Sequence, residues 1–277
     1  MADEWLKKTT RPVKVAQIDT TAPNVARVWN YLVGGRDNFE ADRKAARQLI
    51  SIAPIVTEAG HATRAFRWRA TRLLGEAGIR QFLDIGTGLP TADNAHDAAQ
   101  GMAPGARIVY VDNDPVVLAH ARALLTSTPG GATSYIDADA REPGKIVAEA
   151  RTTLDFGAPV AVILSDLLNF IGESSMAGEI VTTLMDAVPP GSYLVVVHPA
   201  NDLDPSLLAA AQRWNQISPT PVTLRSRAEV TAWTDGLELI EPGVVQVTQW
   251  RPDEPPADEP APPERVMPLY GFVARKP

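Results

Sequence analysis

Apolar positions follow two rhythms along this chain. Between residues 24 and 78 they recur at helical spacing, and beyond residue 81 short apolar runs alternate with amphipathic stretches. In the first part, Val25, Val28, Trp29 and Leu32 stand at i, i+3, i+4 and i+7, and Gly34-Gly35 ends the helix they predict. A second helix is expected over residues 39–52, capped by Asp37 or Asn38, with Asp42 near its start and Pro54 as its stop. A third is expected over residues 57–77, with Ala62, Ala65, Phe66 and Leu73 facing inward and Gly78 closing it.

The second part predicts strands at residues 81–85, 107–111, 133–136, 159–165 and 192–197. Helices are expected between them at about 91–100, 115–125, 143–152 and 176–187. Such alternation predicts a parallel sheet with helices on both faces. The runs 160–164 and 193–197 are apolar enough for strands buried on both sides. After a helix over about 205–217, the stretches 237–240, 244–250 and 270–274 suggest an antiparallel C-terminal hairpin completing a mixed sheet. Residues 252–265, rich in Pro, Asp and Glu, are expected to form an exposed loop. The expected organisation is one structural domain: a flexible segment 1–23, a helical lid 24–78 and an α/β core 79–277.

Composition narrows the functions. With 277 residues, 45% of them hydrophobic, the chain can bury a sizeable core. A formal net charge of −7 argues against a protein that lives on the nucleic-acid backbone, and therefore against a nucleic-acid partner. The absence of Cys excludes disulfides, thiolate metal sites and a cysteine nucleophile, and only four His make a multi-histidine metal site a poor expectation. The polar start at residues 1–10 carries no signal peptide, and no apolar run approaches the roughly 20 residues of a membrane span. A soluble, cytoplasmic protein, monomeric or homodimeric, is expected.

The candidate chemistry sits at the strand ends. The first strand runs into Asp84-Ile85-Gly86-Thr87-Gly88-Leu89-Pro90-Thr91. Glycines there allow a tight turn and close approach of a ligand to the backbone. A dinucleotide fingerprint needs a third glycine where Thr91 stands, which counts against a nicotinamide cofactor. The spacing Asp84-x-Gly86-x-Gly88 resembles the first motif of class I methyltransferases that use S-adenosylmethionine, with Pro90 in place of their usual third glycine. Asp112 closes the second strand, where a carboxylate accepts hydrogen bonds from ribose hydroxyls, while Asp114 before Pro115 is the better helix cap. Asp139 closes the third strand, placed for an adenine amino group, with Asn113 and Ala140 as neighbouring candidates. Ser165 and Asp166 close the fourth, where methyl donor and acceptor should meet.

Three stretches are similar to one family of S-adenosylmethionine-dependent methyltransferases, long catalogued as a domain of unknown function. They are Trp29-Asn30-Tyr31-Leu32-Val33-Gly34-Gly35-Arg36-Asp37-Asn38-Phe39, the glycine turn with its continuation to His96, and Tyr110-Val111-Asp112-Asn113-Asp114-Pro115. The likeness extends from about Thr21 to Lys276. It implies a three-layer, Rossmann-like class I fold, S-adenosyl-L-methionine as cofactor and a small-molecule methyl acceptor. It also implies that Tyr31, Gly34, Arg36 and Asn38 belong to the site as part of a lid. Arg36 or Arg64 could pair with the cofactor carboxylate, and Tyr31, Trp29 or Phe39 could lie against the sulfonium, with packing the favoured role for Trp29. The chain departs from the family at Asn169, commonly His there, and at Thr63, commonly Asn. Asn169 takes up no proton at neutral pH; the candidate bases are Asp166 and His198, both at strand ends, with a packed strand-end histidine an equal alternative for His198, and His61, His96 and His120 read as helix-surface residues. The function expected is in-line methyl transfer to a small molecule. The alternative is a catalytically silent S-adenosylmethionine-binding or regulatory protein, with a nicotinamide oxidoreductase behind both.

Overall fold

A computed structural model describes residues 18–90, 95–124, 128, 130–253 and 265–277. The expectations for residues 1–17, for Thr91, for the helix start at 91 and for most of the loop 252–265 lie outside the described residues.

The apolar runs form the strands of one mixed sheet: β1 (Gln81–Ile85), β2 (Arg107–Asp112), β3 (Ala132–Asp137), β4 (Ala161–Ser165), β5 (Tyr193–Pro199), β6 (Glu238–Leu239), β7 (Val245–Gln246) and β8 (Leu269–Arg275). Their order is β3-β2-β1-β4-β5-β8-β6, with β7 also paired to β8. The first five are parallel, and β8 runs antiparallel to β5, with β6 and β7 antiparallel to β8. The expected antiparallel C-terminal finish is therefore present, built around β8 as its middle strand. Strand order reverses between β1 and β4, so a crevice opens at their carboxyl ends, the place where open parallel sheets bind ligands.

The helices are α1 (Val25–Leu32), α2 (Glu40–Ile52), α3 (Ile55–Glu76), α4 (Ala95–Met102), α5 (Pro115–Leu124), α6 (Pro143–Ala150), α7 (Ser174–Ala187), α8 (Pro205–Ile217) and α9 (Arg227–Ala232). Alternate residues of each strand serve opposite faces. Leu83, Val109, Val162, Leu194 and Val196 pack with Ile146 of α6 and Ile180 and Leu184 of α7. Phe82, Ile108, Ile163 and Val195 pack with Phe66, Ala70 and Leu74 of α3 and Ala99 of α4. A third cluster joins α1, α2 and the start of α3 to α8 through Val28, Leu32, Leu49, Val56, Leu207 and Trp214.

Two local expectations are corrected. The inner stripe of α3 is Ala59, Thr63, Phe66, Ala70 and Leu74; Ala65 is exposed, because the helix is rotated to seat Phe66 against Trp250. Neither Asp37 nor Asn38 caps α2. Phe39 holds the cap position, and the Asp42 carboxylate accepts its amide at 2.8 Å. Helix α9 went unread, although Ser226 and Glu229 form a capping box at its start. Among the described residues no helix is long and apolar enough to cross a membrane.

Candidate functional site

The glycine turn is sewn to the end of β2. The Gly86 amide donates to the Val111 carbonyl at 2.8 Å, and the Thr87 hydroxyl bonds the Asp84 and Val111 carbonyls at 3.3 and 3.2 Å. The Asp112 carboxylate accepts the Gly88 amide at 2.9 Å and the Asp114 amide at 2.9 Å. A carboxylate has about four lone-pair positions, so each oxygen keeps capacity for a hydroxyl donor. Burial pushes the Asp112 carboxyl up to about 6, partly offset by those amides. Asp114 caps α5 by accepting the Val116 amide at 2.7 Å, as expected.

Gly86 and Gly88 both take left-handed backbone, φ 76° and 67°. They differ in surroundings. A Cβ on Gly86 would meet Leu167 Cδ1 at 2.7 Å, whereas one on Gly88 would meet nothing within 4 Å. Gly88→Ala should therefore cost only the left-handed backbone strain, about 1–2 kcal/mol. Gly86→Ala should cost more and displace the segment after β4; thermal unfolding of the two variants checks the order, and equal melting temperatures would refute it.

Farther along the edge, the Asn113 amide donates to Asp139 at 3.3 Å. Asp139 is half-buried and gripped by Arg141, whose Nε lies at 2.9 Å, and that guanidinium holds its carboxyl below the usual range. Ala140 beside it is buried.

At the switch point, Asp84 is fully buried, and neither carboxylate oxygen has a hydrogen-bond partner among the described residues. Burial raises its carboxyl, and the Arg67 guanidinium, 3.5 Å away, offsets that only in part. Ser165 is buried with its hydroxyl likewise unpartnered. Asp166 adopts φ 52°, rare for a residue with a side chain, and accepts the Thr63 hydroxyl at 2.8 Å. Burial pushes its carboxyl up to about 6, against the lowering effects of Thr63 and Arg67. Helix α3 thus lays Thr63 and Arg67, one turn apart, over the ends of β1 and β4.

The N-terminal helices reach the same edge. Ala26 of α1 packs against Leu89 of the glycine turn and Val116 and Val117 of α5. The loop after α1 wraps round the buried Asn30, whose side-chain Oδ1 accepts the Asp37 amide at 3.0 Å and the Asn38 side-chain amide at 2.9 Å. Gly34 supplies φ 82°, and a Cβ on Gly35 would overlap the Asn30 side chain. Asp42, fully buried, ties this hairpin together by accepting Arg27 Nε at 2.9 Å and the Asn24 amide at 2.9 Å.

Several candidates are placed otherwise than expected. His198 is fully buried, with Nδ1 2.9 Å from the Pro199 carbonyl and Nε2 3.0 Å from Arg225; burial pushes it down to about 3. Both ring nitrogens are spent, so His198 is not placed to act as a base. His96 is no surface residue either: it is buried against the Tyr110 hydroxyl, 2.9 Å from its Nδ1. Tyr31 is half-buried among the N-terminal helices, and Phe39 lies under the Arg27 guanidinium at 5.2 Å. Trp29 packs, as favoured. Asn38 is spent within its own loop, whereas Arg36 is exposed. Asn169 is buried, its side-chain oxygen unpartnered, on a short 3₁₀ turn after β4.

Three contributors went unread. Arg67 follows Thr63 by four residues, and the correct phase of α3 would have put both on the sheet side. Asn30 lies within the lid signature but was not singled out. Arg225, fully buried, donates to the Leu168 and Ile171 carbonyls at 2.9 and 2.7 Å and so fixes the turn that carries Asn169. No local sequence signal marks it. A depression of about 350 Å³ lined by Arg107 and residues 151–157 lies at the opposite, amino-terminal edge of the sheet, away from this site.

A sequence profile described as S-adenosyl methyltransferase matches residues 11–277. A crystal structure of a DUF574 family protein from Streptomyces avermitilis is 41% identical over 94% of this chain and 99% of its own, with TM-score 0.88. A putative methyltransferase from Thermobifida fusca is 37% identical over 93% and 96%, with TM-score 0.84. An O-methyltransferase family protein from Burkholderia thailandensis, 13% identical with TM-score 0.51 over 86% of this chain and 60% of its own, shares the fold. A search among curated proteins returns no match.

Proposed function

The chain belongs to the S-adenosyl methyltransferase family, and from that premise we propose that it binds S-adenosyl-L-methionine along the carboxyl ends of β1, β2 and β3 and methylates a small molecule held near β4. The observation that carries the reading is Asp112, a carboxylate poised by the Gly88 and Asp114 amides at the end of β2. Its remaining lone pairs suit the two ribose hydroxyls. Asp84, buried without a donor, suits the cofactor's ammonium, and the Gly86-Thr87-Gly88 backbone lets the methionine portion approach closely. Asn113, Asp139 and Ala140 border the adenine, where the amino group would share Asp139 with Arg141. Arg36, exposed on the lid loop, or Arg64 of α3 would meet the carboxylate. These residues fit the cofactor because they offer acceptors where it carries donors.

When bound, the cofactor supplies an activated methyl group. The protein's own work is to align the acceptor with the carbon–sulfur bond and exclude water. Asp166 is the group placed to take a proton, now that His198 is buried and Asn169 holds none. That last point favours a second reading, a silent cofactor-binding protein. Calorimetry with S-adenosylhomocysteine tests binding, and formation of S-adenosylhomocysteine from S-adenosylmethionine with an extract of small molecules separates enzyme from silent binder.

Affinity should also depend on pH. Only the ionised Asp112 accepts both hydroxyls. Its carboxyl is pushed up to about 6, so affinity should be flat above about pH 7 and fall as pH drops through 6. Calorimetry between pH 5 and pH 8 would read this, and an unchanged dissociation constant at pH 5 would count against the ribose assignment.

A further inference from the structure

We propose that the corner between β1, β4 and α3 receives the methyl acceptor as a basic amine, with Asp166 taking the ammonium proton and Ser165 and Thr63 orienting the nitrogen. This rests on the cofactor reading above and adds the acceptor's chemical class.

The hydrogen-bond inventory points that way. In β4 and the turn after it, the buried side-chain atoms without a partner among the described residues are both oxygens, Ser165 Oγ and Asn169 Oδ1. Buried acceptors left without donors are costly, so such a lining favours a ligand rich in N–H groups. An alcohol brings one proton, and a carboxylate brings none. A protonated amine brings two or three and a positive charge.

The charges agree. Two carboxylates, Asp84 and Asp166, lie here, and the Arg67 guanidinium stands 3.5 Å from Asp84, beyond good hydrogen-bond length. With Asp84 facing the cofactor and Arg67, Asp166 is the carboxylate left for the acceptor. It is held for that task by two elements. The chain bends it into left-handed backbone at the end of β4, and α3 fixes one oxygen through Thr63. Strain of this kind, about 1–3 kcal/mol, persists only where the surroundings enforce it.

The step balances. An N–H bond of the ammonium breaks and its proton passes to the free oxygen of Asp166. The lone pair so released forms the nitrogen–methyl bond, while the carbon–sulfur bond breaks and leaves its electrons on sulfur. The proton then passes from Asp166 to solvent. Burial that lifts Asp166 to about 6 narrows its gap to an alkyl ammonium near 10 to about four pH units, whereas an alcohol lies several units further away.

The test uses phenethylamine, phenethyl alcohol and phenylacetic acid, each titrated calorimetrically into full-length protein saturated with S-adenosylhomocysteine. The amine is expected to bind at least tenfold more tightly than the alcohol or the acid. Asp166→Asn should abolish that preference, and Thr63→Val, which keeps the carboxylate but loses its hydroxyl donor, should narrow it. Equal binding of amine and alcohol, no binding of the amine, or a preference untouched in Asp166→Asn overturns the proposal. Failure of S-adenosylhomocysteine to bind in the first titration is a separate result that removes the cofactor reading and this inference with it.

Discussion

Asp112→Ala is expected to weaken binding of S-adenosylhomocysteine at least tenfold while the protein stays folded. A hydrogen bond to a charged group contributes roughly 1.5–3 kcal/mol, and two ribose hydroxyls would share this carboxylate. The substitution also frees the Gly88 and Asp114 amides, both 2.9 Å from Asp112, and so loosens the turn that the methionine portion would rest on. Asp112→Asn separates the two effects, because its side-chain oxygen still accepts one amide but the negative charge is gone. It should lose much of the affinity while keeping the melting temperature within a few degrees. Affinity unchanged in both variants, measured by calorimetry on protein with intact circular dichroism, would refute the assignment.

The second large effect is on stability. Asp42→Ala should destabilise the protein by about 3–5 kcal/mol, because it leaves the buried Arg27 guanidinium without its carboxylate. Asp42 also receives the Asn24 amide at 2.9 Å and the Phe39 amide at 2.8 Å, one before each of helices α1 and α2. Arg27→Met combined with Asp42→Leu removes the lone charge and should recover part of the loss. It should not recover all of it, since both amides would still lack an acceptor. Urea unfolding of the single and double variants measures the difference. A double variant less stable than Asp42→Ala would show that the pair's charges are not what is at stake.

Much of this was legible in the chain. The parallel strands were found because each is a short run bounded by Gly, Pro or Asp, apolar in all but β3, and β1 was placed to the residue. The polar strand ends followed directly, since a strand's exit is fixed once the strand is. What escaped depended on packing. Helix α3 carries apolar residues on more than one side, so its phase was ambiguous until Trp250, far along the chain, met Phe66 at 5.2 Å between ring centroids. The error rotated Thr63 off the sheet and hid Arg67. For His198 the sequence left base and packed residue equally open, because strand ends are where ligands sit. Its burial comes from Trp233 and Arg225, which nothing near it in sequence announces. Strands β6 and β7 were read too long because their pairing with β8 spans only a few residues.

Arg225 has a wider implication. A cation wholly inside the protein, hydrogen-bonded to two carbonyls, a hydroxyl and an imidazole, is a keystone whose shape matters as well as its charge. Lysine could not span those acceptors, and a neutral residue would strand them. Residues on the turn, Asn169 among them, can therefore change while the bolt behind them stays fixed.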